Sequence, residues 1–454
     1  MSIDHSIESI RQLSAILAKH GARDALIKEL KKNHNDKNQV YSGKDFQPLH
    51  PFFSLHFAER TECTSSKSSG GHAGKPILEG TFSDFVWVRT DNEEVQAKNA
   101  KLIIYPQYPE ARLSGFKTVR NTIPRSITIE YTKAHPDARR YLVLGRRGSG
   151  SVVAIMVAEP GHEFVERLKE LECAPGSRVW KYLSVAVDST AKLHQLLMGI
   201  VGKEYPGCRY DAKGNVIPFT GTQVCGYTLE YAPGILPDSR MHGDFEGIEL
   251  KAHTQKKVTL MTPEPDRGLY AEDFPRFMKQ YGYKDNNGNY RLTGIHRVGK
   301  SSGKSGLTLK ILNYDPSRNV ASQAANDIPV ALEDGQGSVA AGWSLERLLN
   351  CRGAKHNEVV YVKAEKHECK DLDKAAEGYK YTVVFDDKVI WCKHTSPDNL
   401  LRALSDGTIF LDPAPKLDLS NPGKSKRRAQ WRVNNIDDAV QSLYEEVEII
   451  ALES

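Results

Sequence analysis

The segment Gly243–His253 constrains this chain more than any other, since it reads Gly-Asp-Phe-Glu-Gly-Ile-Glu-Leu-Lys-Ala-His. Side chains alternate between the two faces of a β-strand. A strand over residues 248–252 therefore points Glu249 and Lys251 to one face. Its apolar residues point into a core on the other face. Asp244 lies five residues before Glu249, and Gly247 lies between them. We expect a hairpin that brings the two carboxylates together.

Two neighbouring carboxylates repel each other, and a hard divalent cation relieves that repulsion. Mg²⁺ prefers carboxylate oxygens and water as ligands. A bound metal can activate water and neutralise charge on a phosphate, while Lys251 orients or deprotonates the water or binds the phosphate. The pattern Asp-x(4)-Glu-x-Lys also arises by chance, usually as the solvated face of a strand.

Composition is that of an ordinary globular protein: 454 residues, 39% hydrophobic and 26% charged, which suggests two or three domains. The sequence has no apolar run of membrane-spanning length, so no membrane span is expected. Because the N-terminus lacks a basic region followed by an apolar stretch, no secretory signal is expected either. Its seven cysteines are odd in number and lack CxxC spacing. Reduced thiols in a cytoplasmic protein are therefore expected, with no zinc site and no disulfides. The net charge of +5 permits a phosphate-rich partner without requiring one.

The order of predicted elements indicates an α/β (α+β) chain in two parts. Residues 1–178 form one α+β domain, which opens with a helix that ends near Gly21. Its predicted strands are 85–88, 102–105, 127–131, 141–145 and 152–157, followed by a helix over 162–172. A turn beginning at Cys173 separates it from a second domain, residues 182–454. There, short strands (306–312, 359–363, 381–385 and 389–392) alternate with helices (189–201, 273–281, 345–349, 397–404 and 436–447).

Residues 218–270 resemble the catalytic core of the MvaI/BcnI family of type II restriction endonucleases, within the PD-(D/E)xK nuclease superfamily. The matching elements are Gly-Tyr-Thr-Leu-Glu at 226–230, Asp-Phe-x-Gly-Ile-Glu-Leu-Lys at 244–251 and Val-Thr-Leu-x-Thr at 258–262. Gly243 stands where the family often has proline, which shapes the turn and binds no metal. A Pro-Asp pair at 237–238 makes Asp238 a rival for the metal-ligand role. We prefer Asp244, because its neighbours match.

The resemblance implies a PD-(D/E)xK fold in which Asp244 and Glu249 bind Mg²⁺ and Lys251 is the catalytic lysine. Glu230 matches an acidic residue that adjoins the site in related nicking nucleases; the alternative is a salt bridge or an interaction with its helix. His253, on the same face as Lys251, is either a catalytic or DNA-contacting residue or only a polar neighbour.

Residues 424–432 form a dense basic segment, and the resembled family grips DNA with a segment of this kind. Its candidate DNA contacts are Lys424, Arg427, Arg428, Gln430 and Arg432, which are residue types that bind phosphates and base edges. The alternative is a solvated basic loop. In the N-terminal part, cations such as Lys31, Arg112 and Arg146 suit either a DNA-binding face or an ordinary surface.

These features predict a sequence-specific, Mg²⁺-dependent restriction endonuclease that cuts double-stranded DNA and leaves 5′-phosphates. Two alternatives remain: a nicking enzyme of the mismatch-repair type, and a DNA-binding module without activity. The resemblance points to a monomeric catalytic unit. The N-terminal domain, which lies outside the resemblance, is expected to bind DNA, either to extend recognition or to hold a second copy of the site.

Overall fold

The computed structural model describes residues 2–31, 38–44, 46–47, 49–60, 77–105, 110–148, 150–185, 189–211, 213–235, 245, 248–254, 257–312, 314–315, 320–321, 328–351, 356 and 358–452. Among these residues, no helix has the length and apolar character needed to cross a membrane. The described cysteines are all free thiols.

The N-terminal part contains four α-helices among its described residues: α1 (Ile10–Lys19), α2 (Leu49–Phe52), α3 (Ile129–Ala134) and α4 (His162–Glu170). Its strands are β1 (Asp4–Ile7), β2 (Ala22–Glu29), β3 (Val40–Gly43), β4 (Leu55–Arg60), β5 (Ile77–Phe82), β6 (Phe85–Val88), β7 (Glu94–Gln96), β8 (Lys101–Tyr105), β9 (Glu110–Ser114), β10 (Tyr141–Arg147), β11 (Val152–Pro160) and β12 (Lys181–Ser184).

Two sheets pack face to face in this part. One runs in the order β12-β2-β10-β11-β6-β7, with β1 beside β11; the other runs β3-β9-β8-β5-β4. Alternate residues of β2 and β10 enter the core between the sheets, among them Leu26 and Leu142. The residues between them, such as Ile27 and Val143, pack against helices α1 and α4 on the outer face. This alternation produces three layers from strands that are buried on both faces.

Hydrogen bonds at the N-terminal ends of α1 and α3 explain where these two helices begin. Helix α1 begins after Ser9, whose hydroxyl accepts a hydrogen bond from the Gln12 amide (3.1 Å), and Gly21 follows its end with φ of +75°. The strand predicted over 127–131 is wrong, since a 3₁₀ turn (Arg125–Ile127) leads there into α3. The Thr128 hydroxyl caps α3 through the Tyr131 amide, and Asp4 accepts the amides of residues 125 and 126.

The described helices of the C-terminal part are α5 (Ser189–Met198), α6 (Val224–Tyr231), α7 (Leu269–Glu272), α8 (Phe274–Tyr281), α9 (Leu345–Cys351), α10 (Leu372–Ala376), α11 (Pro397–Ser405) and α12 (Ile436–Leu443). Its strands are β13 (Glu204–Pro206), β14 (Cys208–Tyr210), β15 (Val216–Pro218), β16 (Glu249–His253), β17 (Val258–Met261), β18 (Tyr283–Lys284), β19 (Tyr290–Arg291), β20 (Thr308–Ile311), β21 (Tyr314–Asp315), β22 (Val320–Ala321), β23 (Val330–Glu333), β24 (Val339–Trp343), β25 (Glu358–Glu368), β26 (Tyr381–Lys393), β27 (Ile409–Leu411), β28 (Lys416–Leu417), β29 (Trp431–Val433) and β30 (Glu446–Ala451).

A mixed sheet forms the centre of this part, in the order β13-β26-β25-β16, with β30 also beside β26. Helices α5 and α6 pack on one face, while α11 and α12 pack on the other. The two strands predicted over 381–385 and 389–392 are one continuous strand, β26. Its pairing with β25 shifts where residues 386–388 lie opposite Lys363, and Asp386 forms an ion pair with that lysine (2.8 Å). The polar interruption in the sequence is thus a β-bulge rather than a turn.

The two parts share buried contacts across their junction. Leu345 and Leu349 of α9 enter the core between the N-terminal sheets, and the Asn350 side chain bonds both backbone groups of Phe57. Residues 181–185, which follow the turn that begins at Cys173, extend the N-terminal sheet. Residues 181–184 form β12, and Val185 packs in the core beside it. Division into domains 1–178 and 182–454 stays a prediction.

Glu358 is a polar link between the two parts. One of its carboxylate oxygens accepts a hydrogen bond from Arg23 of β2 (3.1 Å), and the other accepts from the Trp391 indole of β26 (2.8 Å). Glu358 is buried, whereas Arg23 is half-buried, with 11% of its side chain exposed. Nearby, Arg146 is buried and paired with Asp24, so it does not belong to an exposed basic face. The neighbouring carboxylates raise the pKa of Arg146, against the lowering that burial alone would cause.

Replacing Glu358 by alanine should lower the free energy of unfolding by about 3–5 kcal/mol. The change removes a buried carboxylate that accepts hydrogen bonds from the Arg23 guanidinium and the Trp391 indole. Urea unfolding followed by tryptophan fluorescence measures this loss. Lys363→Ala, which breaks an exposed ion pair on the same strand, is the control and should have little effect. Equal destabilisation by the two variants would contradict a structural role for Glu358.

Candidate active site

Strand β16 has one apolar face and one charged face, as the sequence predicts. Ile248 and Leu250 are buried against helices α5 and α6, while Glu249 and Lys251 project from the opposite face. β16 runs parallel to β25, with Glu249 opposite Val359 and Lys251 opposite Tyr361. It is the last strand at its end of the described sheet. The charged pair therefore lies on an edge strand of the described sheet.

The chain reverses direction immediately before β16. Phe245 and Ile248 exchange two backbone hydrogen bonds, of 3.0 and 2.8 Å, which close a tight turn. A turn at this position is what the predicted hairpin requires. Asp244 and its rival Asp238 both lie outside the described residues, so their roles as metal ligands stay predictions.

Glu249 and Lys251 lie close together and differ in exposure. The Lys251 Nζ is 3.7 Å from a carboxylate oxygen of Glu249, beyond ordinary hydrogen-bond length. Glu249 is only 6% exposed, whereas Lys251 is half-buried. A carboxylate held at a sheet edge has the donor chemistry that Mg²⁺ requires. No cluster of three possible metal ligands occurs among the described residues.

Glu230 lies on α6, which packs on the apolar side of the sheet, whereas His253 lies on β16 itself. Glu230 is half-buried on α6, which packs against the apolar side of β16 through residues such as Leu229. His253 is half-buried at the end of β16, two residues beyond Lys251 and on its face. Catalytic roles for both stay predictions.

The basic segment 424–432 is held in place along its backbone. The amides of Ala414 and Lys416 donate to the carbonyls of Arg428 and Lys426, at 3.0 and 2.8 Å. Arg427 lies over the rings of Tyr270 and Phe274, with its guanidinium carbon 5.4 and 4.9 Å from their centroids. Lys424, Arg427 and Arg428 are nevertheless exposed. Their backbone is therefore fixed while their charges face solvent.

Arg432 and Gln430 differ from the three exposed cations. Gln430 is half-buried and accepts the Asp412 amide through its backbone carbonyl (2.8 Å). Arg432 donates to the Asp412 carboxylate at 2.9 Å, and Lys257 binds the same carboxylate at the same distance. These two cations lower the pKa of Asp412, against the raising effect of burial.

Sequence reasoning missed Lys257 and Asp412. Pairing of β17 with β29 brings Lys257, four residues after His253, beside Arg432. The ion cluster thereby connects the segment after β16 to the basic segment. The one hint in the sequence is that Lys257 directly precedes the matching Val-Thr-Leu strand. The contact itself has no local signal, because Asp412 lies 155 residues from Lys257 and 20 residues from Arg432.

Comparisons with known proteins agree with the resemblance. The sequence model of the MvaI/BcnI restriction endonuclease family matches residues 195–444. Among solved structures, the chain is similar to the restriction endonuclease MvaI bound to its cognate DNA substrate, at 18% identity and a TM-score of 0.43. The match covers 59% of this chain and 99% of that one. For MvaI in the absence of DNA, the identity is 18%, the TM-score is 0.34 and the coverage is 59% and 100%. No curated protein matches the chain.

The two faces of β16 predict opposite responses to substitution. Leu250→Ala should lower the free energy of unfolding by about 2–5 kcal/mol, since it leaves a cavity in the core beneath α6. Glu249→Gln keeps the volume of the side chain and should cost much less. Urea denaturation of both variants tests this contrast. A loss for Glu249→Gln as large as that for Leu250→Ala would make Glu249 a structural residue rather than a site residue.

Proposed function

Because this chain belongs to the MvaI/BcnI restriction endonuclease family, we propose that it is a type II enzyme that hydrolyses phosphodiester bonds at a specific sequence of double-stranded DNA. The reaction depends on Mg²⁺ and leaves 5′-phosphate ends. The observation that carries this proposal is the adjacent Glu249 and Lys251 on the charged face of β16, inside the segment that the family matches.

Asp244 and Glu249 would hold the metal ion in this proposal. When bound, Mg²⁺ supplies a Lewis acid that neutralises charge on the phosphate and makes water more acidic. The rest of the sheet keeps Glu249 fixed, because Leu250 and Ile248 anchor the strand in a core on its other face. Lys251, half-exposed beside that carboxylate, orients or deprotonates the attacking water, or binds the scissile phosphate.

Single-strand nicking and binding without catalysis are the alternatives. The Glu249 and Lys251 pair favours an active enzyme over a binding module, since a module would not need a buried carboxylate beside a lysine. Cutting of both strands is favoured by family membership. A supercoiled plasmid distinguishes the three: discrete linear fragments indicate double-strand cleavage, open circles indicate nicking, and no change indicates binding alone.

We further propose a cytoplasmic enzyme with a monomeric catalytic unit. The N-terminal part, whose last described strand β12 ends at Ser184, precedes residues 195–444, the segment that the family model matches. Its own sheets and cores make it an added unit, which we propose contacts DNA or holds a second copy of the site.

Asp244→Ala, Glu249→Ala and Lys251→Ala should each abolish cleavage and leave DNA binding largely intact. These changes remove the metal ligands and the lysine but no core residue. Plasmid digestion with and without Mg²⁺ measures cleavage, and fluorescence anisotropy in EDTA measures binding. Lys388→Ala removes one exposed lysine of the same sheet and is the matched control. Cleavage by Lys251→Ala at the wild-type rate would refute this site.

Neutralising the exposed cations of the basic segment should weaken DNA binding and flatten its salt dependence. Arg427→Gln and Arg428→Gln should each reduce the slope of log affinity against log salt by about 0.9, if each contacts one phosphate. Arg432→Gln should change the slope less, since Arg432 is already paired with Asp412. Anisotropy titrations over a range of salt concentrations measure the slopes. An unchanged slope for Arg427→Gln and Arg428→Gln would show a solvated segment that DNA does not touch.

A further inference from the structure

A cationic cavity lies in the N-terminal part, where strand β2 extends beyond its neighbour β12. Its volume is about 410 Å³. The cations that line it come from β2 and the residues after it, from α4, from the segments before β10 and β12, and from β12 itself: Lys28, Lys31, Lys169, Arg139, Arg178 and Lys181. Glu29 is the one acidic residue of this described lining. We call this cavity the β2–α4 pocket.

Several of these charges have no carboxylate partner. Lys169 pairs with Glu166 (2.7 Å), and the Lys181 ammonium donates to the Leu171 carbonyl. Within the part of the chain that the structure describes, Lys28 and Arg178 form no ion pair; Arg139 forms none within 4 Å, although it lies beside the Tyr141 hydroxyl and near the Glu166 carboxylate. An excess of positive charge in a concave site attracts anions and strengthens their binding.

Lys28 is the unusual member of this set, because it is only 8% exposed. Its ammonium lies over the rings of Tyr41 and Trp180, at 5.5 and 5.9 Å from their centroids. Burial, with the nearby charge of Lys31, lowers the pKa of Lys28 to about 8, although Glu29 partly offsets this. A buried cation without a carboxylate costs free energy that a bound anion would offset.

The pocket also has an apolar wall. Val165 and Leu168 of α4 line it together with Tyr141 of β10. A site for inorganic phosphate alone needs cations but no such wall. Cations beside an apolar and aromatic surface suit a ligand that has both a phosphate and a flat ring, as a nucleotide does.

We propose that the β2–α4 pocket binds the phosphate and base of a nucleotide, either free or as part of a DNA strand. Binding of a nucleotide within a DNA strand rests on the proposed endonuclease function, whereas binding of a free nucleotide does not. In the DNA case, the pocket is the contact through which the N-terminal part holds a strand away from β16.

The test uses the full chain and a double variant, Arg139→Gln with Arg178→Gln, which removes two exposed cations of the rim. The control, Arg11→Gln with Lys19→Gln, removes the same charge from the exposed face of α1. The probes are dAMP and inorganic phosphate in calorimetry, and a duplex oligonucleotide in anisotropy. We expect wild type to bind dAMP more tightly than phosphate, and the rim variant to bind it roughly tenfold more weakly. The control should match wild type.

The duplex distinguishes the two sources of the ligand. If the pocket holds a DNA strand, the rim variant should lower the salt slope of duplex binding by about 1.8, for two phosphate contacts, and the control should not. Lys28→Met keeps the side chain's length without its charge, and should also weaken binding about tenfold while the protein stays folded by circular dichroism. If the rim variant, the control and Lys28→Met all bind dAMP and duplex as wild type does, the proposal is overturned. Plasmid cleavage, which depends on Glu249 in the proposed function, is measured separately. A failure of the nucleotide-binding proposal can therefore be distinguished from a failure of the proposed endonuclease function.

Discussion

The arrangement of the N-terminal sheet against the central sheet depends on the contacts of one residue, Glu358. It accepts hydrogen bonds from Arg23 of the N-terminal sheet and from Trp391 of the central sheet. The next residue, Val359, is the partner of Glu249 in the pairing of β25 with β16. One buried carboxylate therefore connects the added N-terminal part to the strand that positions the candidate site. Buried ion pairs fix geometry strictly, since breaking one leaves a charge without compensation.

The central sheet turns this connection into a rigid platform. Apolar helices cover both of its faces, so β16 cannot shift its register without moving Leu250 out of the core. Glu249 and Lys251 consequently have fixed positions, which metal-assisted hydrolysis requires. The ion cluster of Lys257, Asp412 and Arg432 then joins this platform to the basic segment. The residues that we propose for catalysis and for DNA binding are in this way held by a single folded unit.

The N-terminal part has a different electrostatic character from the one its sequence suggests. Arg146, a surface cation by sequence, is buried against Asp24, whereas Lys28 is buried without a carboxylate partner among the described residues. The first arrangement stabilises the sheet. The position of Lys28 concentrates positive charge beside the apolar wall of the β2–α4 pocket. Because Arg146 is already paired with Asp24 and Lys28 is not paired with a carboxylate in the described part of the chain, we place the proposed ligand site at Lys28.

The sequence by itself determined the family, a strand over 248–252 (249–253 in the structure) and the division of its two faces, because alternation along a strand is a local property. It also predicted most of the described helices, whose periodicity and caps are local as well, but only a minority of the described strands. It misread residues 127–131, where a threonine cap and the distant Asp4 favour helix over β-branched propensity. Only the tertiary structure decided which cations are paired. The partners of Arg432, Arg146 and Glu358 lie 20 to 335 residues away in sequence, so packing alone brings them together.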